Sequence, residues 1–528
     1  MFKVIHRIFK SNSTPNNQHI NEKTPLRTNL QENIRTIIEL VGNSPDVVIR
    51  KFGIGKKRKI KIALVYTEGL ADTKSVNQFI MESLMMDIQE VELNLDNSSI
   101  PYTFQLLKEL LPVGSIKEVS DFETLLPSIL SGDAAILLEG NSQGLLVGLK
   151  GSEDRGVQEP SSQTVIRGPK EGFSENIRTN TALVRRKIRD PNLWMENLTI
   201  GRVTKTAVNI MYIQGIANGK VVEEVRKRLT RIEIDSILEG GYIEELIQDE
   251  TYTVFPTVFN TERPDVIAAG LLEGRIAIFV DGTPFVLLVP VIFTQFFSAA
   301  EDYYQRSDIA TLLRLLRYLS LFIALLGPSL YIAITTFHQE MLPPGLLFSL
   351  MAQREGVPFP VFIEALLMEV TFELLREAGV RMPRAVGQSV SIVGALVIGQ
   401  AAVEAGIISA SMVIVVSITA ISSFIIPAYN LAISVRILRF GMMGLAASFG
   451  LLGIIVGIIA VIQHLCQLRS FGVPYMAPFG PMVMSDQKDA IFRAPWWGMF
   501  SRPRFMSQKN ISREDNLLPR NRVEKFRN

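Results

Sequence analysis

Apolar and polar positions alternate in short runs over the first half of the chain, then separate into long apolar windows over the second. In the first half, residues 59–66, 134–139, 144–149 and 208–213 read as strands. Residues 73–86, 221–229, 243–247 and 265–272 read as helices. Strands interspersed with helices predict layered α/β or α+β units. Two such units are expected, at 31–150 and 173–300, with a loose polar arm at 1–30 and a Gly-, Ser- and Pro-rich linker at 151–172. Residues 275–280, Asp281-Gly282 and 285–289 carry the signature of a β-hairpin with an Asp-Gly turn. Residues 291–304 then predict a short interfacial helix, with Phe293, Phe296, Phe297, Tyr303 and Tyr304 as membrane anchors.

Charge becomes sparse from about residue 282 to 468, which predicts an α-helical polytopic membrane domain over 301–468. Four windows approach the ~20 apolar residues a span requires: 318–337, 385–403, 405–426 and 440–463. The first holds about ten Leu, Ile or Phe residues. Each is worth roughly −0.3 to −0.6 kcal/mol on insertion, about −3 to −6 in total. Gly327-Pro328 in its middle predicts a kink whose freed backbone group a neighbour has to satisfy. Four spans return the C-terminus to the side of the N-terminal domain. From residue 469 onward there are 11 Lys or Arg against 5 Asp or Glu, a basic tail that favours the cytosolic side. Arg436 and Arg439, read as loop residues, then fall on the opposite side, against that bias.

The segment 341–377 reads as re-entrant or interfacial. Pro343-Pro344 interrupts it, Pro358-Phe-Pro360 follows, and a helix at 361–377 stops before Gly379. With Glu364 at zero and 100° per residue, Glu369, Glu373 and Glu377 fall at about 140°, 180° and 220°. Val361 and Met368 flank Glu364 on the apolar face. A lone carboxylate there is costly unless paired, protonated or facing water. Val361, Glu364, Met368 and Glu369 are therefore candidate lining residues of a cation path formed by several copies of the helix. The plainer reading is an amphipathic interfacial helix whose Glu364 bonds to a neighbour.

Composition removes other classes. A net charge of +2 gives no bulk attraction to nucleic acid. One cysteine, Cys466, and four scattered histidines exclude a disulfide framework and give no recognisable metal site. No phosphate loop, nucleophile elbow or metal-binding helix motif appears, so neither enzyme activity nor a cofactor is expected. Residues 185–189, Arg-Arg-Lys-Ile-Arg, read as a solvated helix face, with contact to phosphate or lipid headgroups as the alternative.

Several longer motifs occur in order: residues 168–180 (Gly-Pro-Lys-Glu-Gly-Phe-Ser-Glu-Asn-Ile-Arg-Thr-Asn), Thr261-Glu-Arg-Pro-Asp265 and Val280-Asp-Gly-Thr-Pro284. Glu301-Asp302-Tyr303-Tyr304, Pro358-Phe-Pro360 with Glu364, residues 399–406 and residues 470–475 complete the set. In these the chain resembles the A subunits of GerA-type spore germination receptors, from about Gly168 to Pro503. The span count and basic tail place both termini on the cytosolic side; the resemblance implies a location in the spore inner membrane and germination triggered by nutrients. It implies partnership with a permease-like B subunit and a lipoprotein C subunit, and assembly into a homo-oligomeric cation channel. A non-conducting scaffold is the first alternative. A secondary transporter is the second, ranked lower because 318–403 and 405–463 show no internal repeat.

Overall fold

The computed structural model describes residues 24–513 apart from 55–59, 88–103, 106, 109–110, 114, 152–158, 161–162, 383–398 and 508–509. Most of the arm, part of the linker, most of the expected span at 385–403 and the last residues of the basic tail lie outside the described residues.

Asn29 caps α1 (Leu30–Leu40) by accepting from the backbone N–H groups of Gln31 and Glu32. β1 (Val47–Ile54) and β2 (Ile60–Thr67) precede a helical segment expected at 73–86. It is one α-turn followed by a π-helix, Val76–Asp87. β3 (Ile116–Val119), α2 (Phe122–Ile129), β4 (Ala134–Leu138) and β5 (Gly144–Val147) complete an antiparallel sheet in the order β1-β2-β4-β5-β3. Alternation along β2 sends Ile62 and Leu64 to one core and Ala63 and Val65 to another. Both faces are buried, which is why β2 reads as a near-continuous apolar run.

α3 (Ile177–Lys187), β6 (Leu193–Ile200), β7 (Thr206–Ile213), α4 (Gly219–Thr230) and α5 (Gly240–Ile247) open the second unit. β8 (Phe259–Thr261), α6 (Pro264–Leu272), β9 (Ile276–Val280) and β10 (Val286–Val289) close it, with sheet order β6-β7-β9-β10-β8. The expected hairpin pairs Leu287 with Ile278, and Gly282 takes the positive φ its turn requires. The basic cluster is not a solvated face at Arg185. That side chain is buried and holds Asp46 of the first unit by two hydrogen bonds, at 2.8 and 3.1 Å.

The second unit shares a core with the helical half. Met211 and Phe279 pack in one apolar cluster with Ala324, Leu431, Val435 and Leu465. Residues 291–304 do not form an interfacial helix. They make two 3-10 turns, Phe293–Phe297 and Ala300–Tyr303, whose phenylalanines are buried inside this shared core. Tyr475 lies fully buried there too, so residues 469–477 are part of the core rather than the start of a free tail.

Five labelled helices follow: α7 (Ser307–Phe337), α8 (Pro344–Arg354), α9 (Val361–Arg381), α10 (Ala410–Ile425) and α11 (Tyr429–Gln467). α7 and α11 are long and apolar enough to cross a membrane, and α10 is a shorter apolar helix. α9 runs through Gly379 and ends at Arg381. α10 begins five residues later than the window at 405–426 implied.

The expected span at 440–463 is not a single pass, because α11 folds back at Gly450 (φ 59°, ψ −139°). Ser434 Oγ donates to the carbonyl of Val254, while His464 Nε2 lies 2.8 Å from the hydroxyl of Thr253. Thirty residues of straight helix would separate them by ~45 Å. A Cβ on Gly457 would lie 2.6 Å from the sulfur of Met442, so the two arms touch. The apolar pattern runs unbroken through the turn and hides it. The chain enters the bundle at Ser307 and leaves it at Gln467 beside the same soluble unit.

Two outcomes follow from these units. Asp46→Asn leaves Arg185 buried without its counter-charge and should cost about 3 kcal/mol in chemical denaturation; a change under ~1 kcal/mol contradicts the pairing. On α5, burial pushes the Glu244 carboxyl up to about 7. The folded chain then keeps a proton that the unfolded chain releases near the ordinary carboxylate value. This contribution to stability is present below about pH 4.5 and lost as pH rises through about 7. Glu244→Gln should remove that part of the pH dependence in thermal melts.

Candidate functional site

Pro328 has no N–H to give, so the carbonyl of Ala324 one turn earlier in α7 loses its helical partner. Arg439 of α11 supplies the replacement, donating from Nε to that carbonyl at 2.6 Å. Its Nη1 donates to Glu369 of α9, also at 2.6 Å, and both side chains are buried. Directly before Pro328, a Cβ on Gly327 would lie 2.8 Å from Thr419 Oγ1, so α10 packs close against the same point. Four helices meet at this point of α7, which continues as one helix through Pro328.

α9 carries a second clasp. Glu364 is fully buried and accepts from both the hydroxyl and the backbone N–H of Ser409, the residue that caps α10. Arg354 of α8 stands 3.8 Å from its other oxygen. A third set lies nearer the soluble unit. Glu373 holds Arg436 at 2.7 Å and Arg376 at 3.3 Å, and Arg376 also donates to Ser423 of α10.

The four candidate path residues thus share a location. Val361 and Met368 pack in a core cluster with Ile332, Met412 and Met443, and Glu364 and Glu369 are buried beside them. In this conformation all four face neighbouring helices of the same protomer. Leu367, Val370 and Leu374 form the exposed stripe on the opposite side of α9. Pro358 is exposed, and the carbonyl of Pro360 accepts the N–H of Glu364 at the start of the helix.

The run Glu301 to Tyr304 ties four segments together. Glu301 accepts from the backbone of Ile166 and Arg167. Asp302, fully buried, accepts from Arg314 at 3.0 Å and Arg317 at 2.7 Å on α7. Tyr303 donates to Asp489 at 2.9 Å, and Tyr304 donates to Asp265 at 2.6 Å. Burial pushes the Tyr304 phenol up, so it stays a donor. Asp265 is also gripped by Arg263 through two bonds at 3.1 and 2.7 Å. A Cβ on Gly168 would meet the Tyr304 ring at 2.7 Å, which explains a glycine at the head of the first motif.

Arg436 and Arg439 correct the sequence reading. They are not loop residues but lie inside α11, paired with α9, and so carry no information about topology. Their spacing of three matches the spacing of four between Glu369 and Glu373 across antiparallel helices. That match was the available signal.

Arg439→Met should destabilise the bundle by about 3–5 kcal/mol, because it strands a carboxylate and a carbonyl. The double variant Glu369→Leu with Arg439→Met should lose markedly less than the sum of the single losses. Unfolding in detergent measures both, and additive losses would contradict the coupling.

Residues 35–505 match the profile of the family described as Bacillus/Clostridium GerA spore germination protein. The chain is 50% identical over 491 residues to spore germination protein KA of Bacillus subtilis strain 168, covering 92% of this chain and 88% of that one. It is 45% identical over 499 residues to the uncharacterized membrane protein YfkQ of the same strain, covering 94% and 95%. A crystal structure of the N-terminal domain of the A subunit of the Bacillus megaterium spore germinant receptor GerK3 is 44% identical. It covers 52% of this chain and 99% of that one, with a TM-score of 0.42. With a profile match across most of its length and relatives this close, the chain belongs to the GerA family of spore germination proteins.

Proposed function

We propose that the chain is the membrane-embedded A subunit of a nutrient-responsive germinant receptor in the spore inner membrane. It works there with a permease-like B subunit and a lipoprotein C subunit, its soluble units on the cytosolic side. Several copies surround a cation path that α9 controls. The observation that carries this reading is the inverted character of α9. Three of its carboxylates, Glu364, Glu369 and Glu373, point inward to Ser409, Arg439 and Arg436, while Leu367, Val370 and Leu374 point outward. An apolar outer face suits a helix in lipid or against another copy, and buried ionisable groups in membrane helices mark paths and switches.

The inward packing of Glu364 and Glu369 belongs, in this proposal, to the closed state. Opening separates α9 from Ser409 and Arg439, so that the carboxylates meet water and attract cations while Val361 and Met368 cease to exclude it. Any ligand that opens the path has to favour the separated state by differential contacts, made most directly through the B subunit. The same dry packing favours one other reading, a signalling scaffold that conducts nothing.

Cation flux through the reconstituted receptor, with single cysteines in a Cys466→Ser background, decides between them. Cysteines at 361 and 364 should react with a water-soluble thiol reagent only when nutrient is present. Glu364→Gln should lower flux several-fold and Val361→Ala should raise flux without nutrient. Nutrient-dependent signalling with no flux, and with both positions unreactive throughout, would establish the scaffold instead.

A further inference from the structure

A cavity of about 600 Å³ lies between the soluble unit and the ends of α9, α10 and α11 nearest to it. It falls within the ~300–1,000 Å³ range of small-molecule sites. Ala269 on α6 and Arg275 form one wall, and the turn Ile426–Tyr429 between α10 and α11 forms another. The C-terminal segment closes it through Ala477, Met506 and Arg513.

Two unbalanced groups of charge line this space. From the soluble side, Arg275 and Arg513 share the single carboxylate of Glu273, at 3.3 and 3.9 Å. From the bundle, Arg376 and Arg436 share the single carboxylate of Glu373, at 3.3 and 2.7 Å. Elsewhere on the wall Arg263 neutralises Asp265 and Arg314 meets Asp489, while Asp486, which accepts from the Ser485 hydroxyl and the Arg504 backbone, keeps its negative charge. The two arginine groups outweigh it, so the wall is net positive by a single charge.

Arg275 is the sharpest anomaly. It is 3% exposed, and its Nε and Nη1 have no hydrogen-bond partner among the described residues. Burial pulls its guanidinium below the ordinary value, a penalty that a bound anion would relieve. Gln295 Oε1, an acceptor on the same cavity, is without a partner among the described residues, and calls for a hydroxyl or N–H donor on the ligand beside its anionic group. Phe259, Phe296, Phe424 and Phe505 make the rest of the lining apolar. A ligand that satisfies this surface has a compact anionic group on an apolar body.

We propose that the cavity binds the phosphate headgroup of an anionic phospholipid, held by Arg275 and Arg513 from the soluble unit and by Arg376 and Arg436 from the bundle. A phosphodiester brings one negative charge and acceptor oxygens that guanidinium forks match. Basic pockets at the cytosolic ends of membrane helices suit such headgroups. The bound lipid makes the soluble unit and α9 partners of one ligand, so that movement of either is felt by the other. The inference rests on the membrane reading of the bundle.

Native mass spectrometry of the full-length protein, exchanged into micelles containing phosphatidylglycerol or phosphatidylcholine, tests it. One phosphatidylglycerol per protomer should be retained, in preference to phosphatidylcholine by at least about tenfold. Arg275→Gln should cut retention by a similar factor. Ala269→Trp, which fills the cavity from an exposed position on its wall, should do the same if the arginine variant does not fold. Arg202→Gln, on a distant exposed turn, should change nothing. Equal retention of the two lipids, or retention untouched by Ala269→Trp in folded protein, overturns the proposal. Inorganic phosphate that raises the melting temperature as far as phosphatidylglycerol does, with no lipid retained, assigns the site to free phosphate and overturns the lipid. Protein that fails to insert into vesicles overturns the membrane reading as well, whereas inserted protein without selective lipid overturns this inference alone.

Discussion

Pro328 takes one hydrogen bond away from α7, and the arrangement of the other helices is set by how that loss is repaired. The freed carbonyl of Ala324 draws in Arg439, and a buried guanidinium then demands a carboxylate, which Glu369 provides. Removing Arg439 strands both the carbonyl and the carboxylate in a dry interior, and removing Glu369 leaves a buried guanidinium without its counter-charge; an unpaired buried polar group costs several kcal/mol. The position of α9 against α7 and α11 is thus fixed by polar necessity rather than by apolar packing, which is weakly directional. Such contacts hold two discrete states better than a gradual slide, because a half-made pair is worse than either end.

Forces reach that clasp through a continuous interior. The second sheet does not end at a flexible joint. Its apolar face merges with Phe293, Phe296, Phe297, Tyr475 and residues of α7 and α11 in one cluster. Asp302 binds Arg314 and Arg317 at the base of α7, and Tyr304 binds Asp265 on α6. Arg185 and Asp46 lock the first unit to the second by the same device, a buried charged pair at a joint. Buried contacts thus run without a break from the first unit through the second to α7.

Much of the soluble half was legible because its strands are buried on both faces and bounded by turn residues. β2, β4, β5, β7 and the hairpin β9–β10 all announce themselves. β1 and β6 did not, because edge positions mix polar and apolar residues. In the bundle, apolarity marked the helices but not their turns. Gly450 reverses α11 inside a run whose one nearby polar residue, Ser448, is as common within helices as at turns, and only contacts between distant residues reveal the hairpin. Residues 291–304 misled for a related reason, since phenylalanines suited to a lipid boundary suit a protein core equally well. At the site, the helical wheel singled out Glu364 as costly and in need of a partner, but set Glu369 with Glu373 and Glu377 away from the apolar face, although Glu369 is buried too. Which partners, Ser409 and Arg439, depended on helices whose order and direction the pattern does not encode.

The account turns on α9 leaving its clasps for the path to open, and covalently joining α9 to α10 tests this most directly. Cysteines at 364 and 409, in a Cys466→Ser background and bridged by a short cleavable thiol cross-linker, hold the two helices together. The account predicts that the bridged receptor keeps resting cation flux when nutrient is added, and that cleaving the bridge restores the response. A bridged receptor that responds to nutrient with the flux of its unbridged form would contradict it.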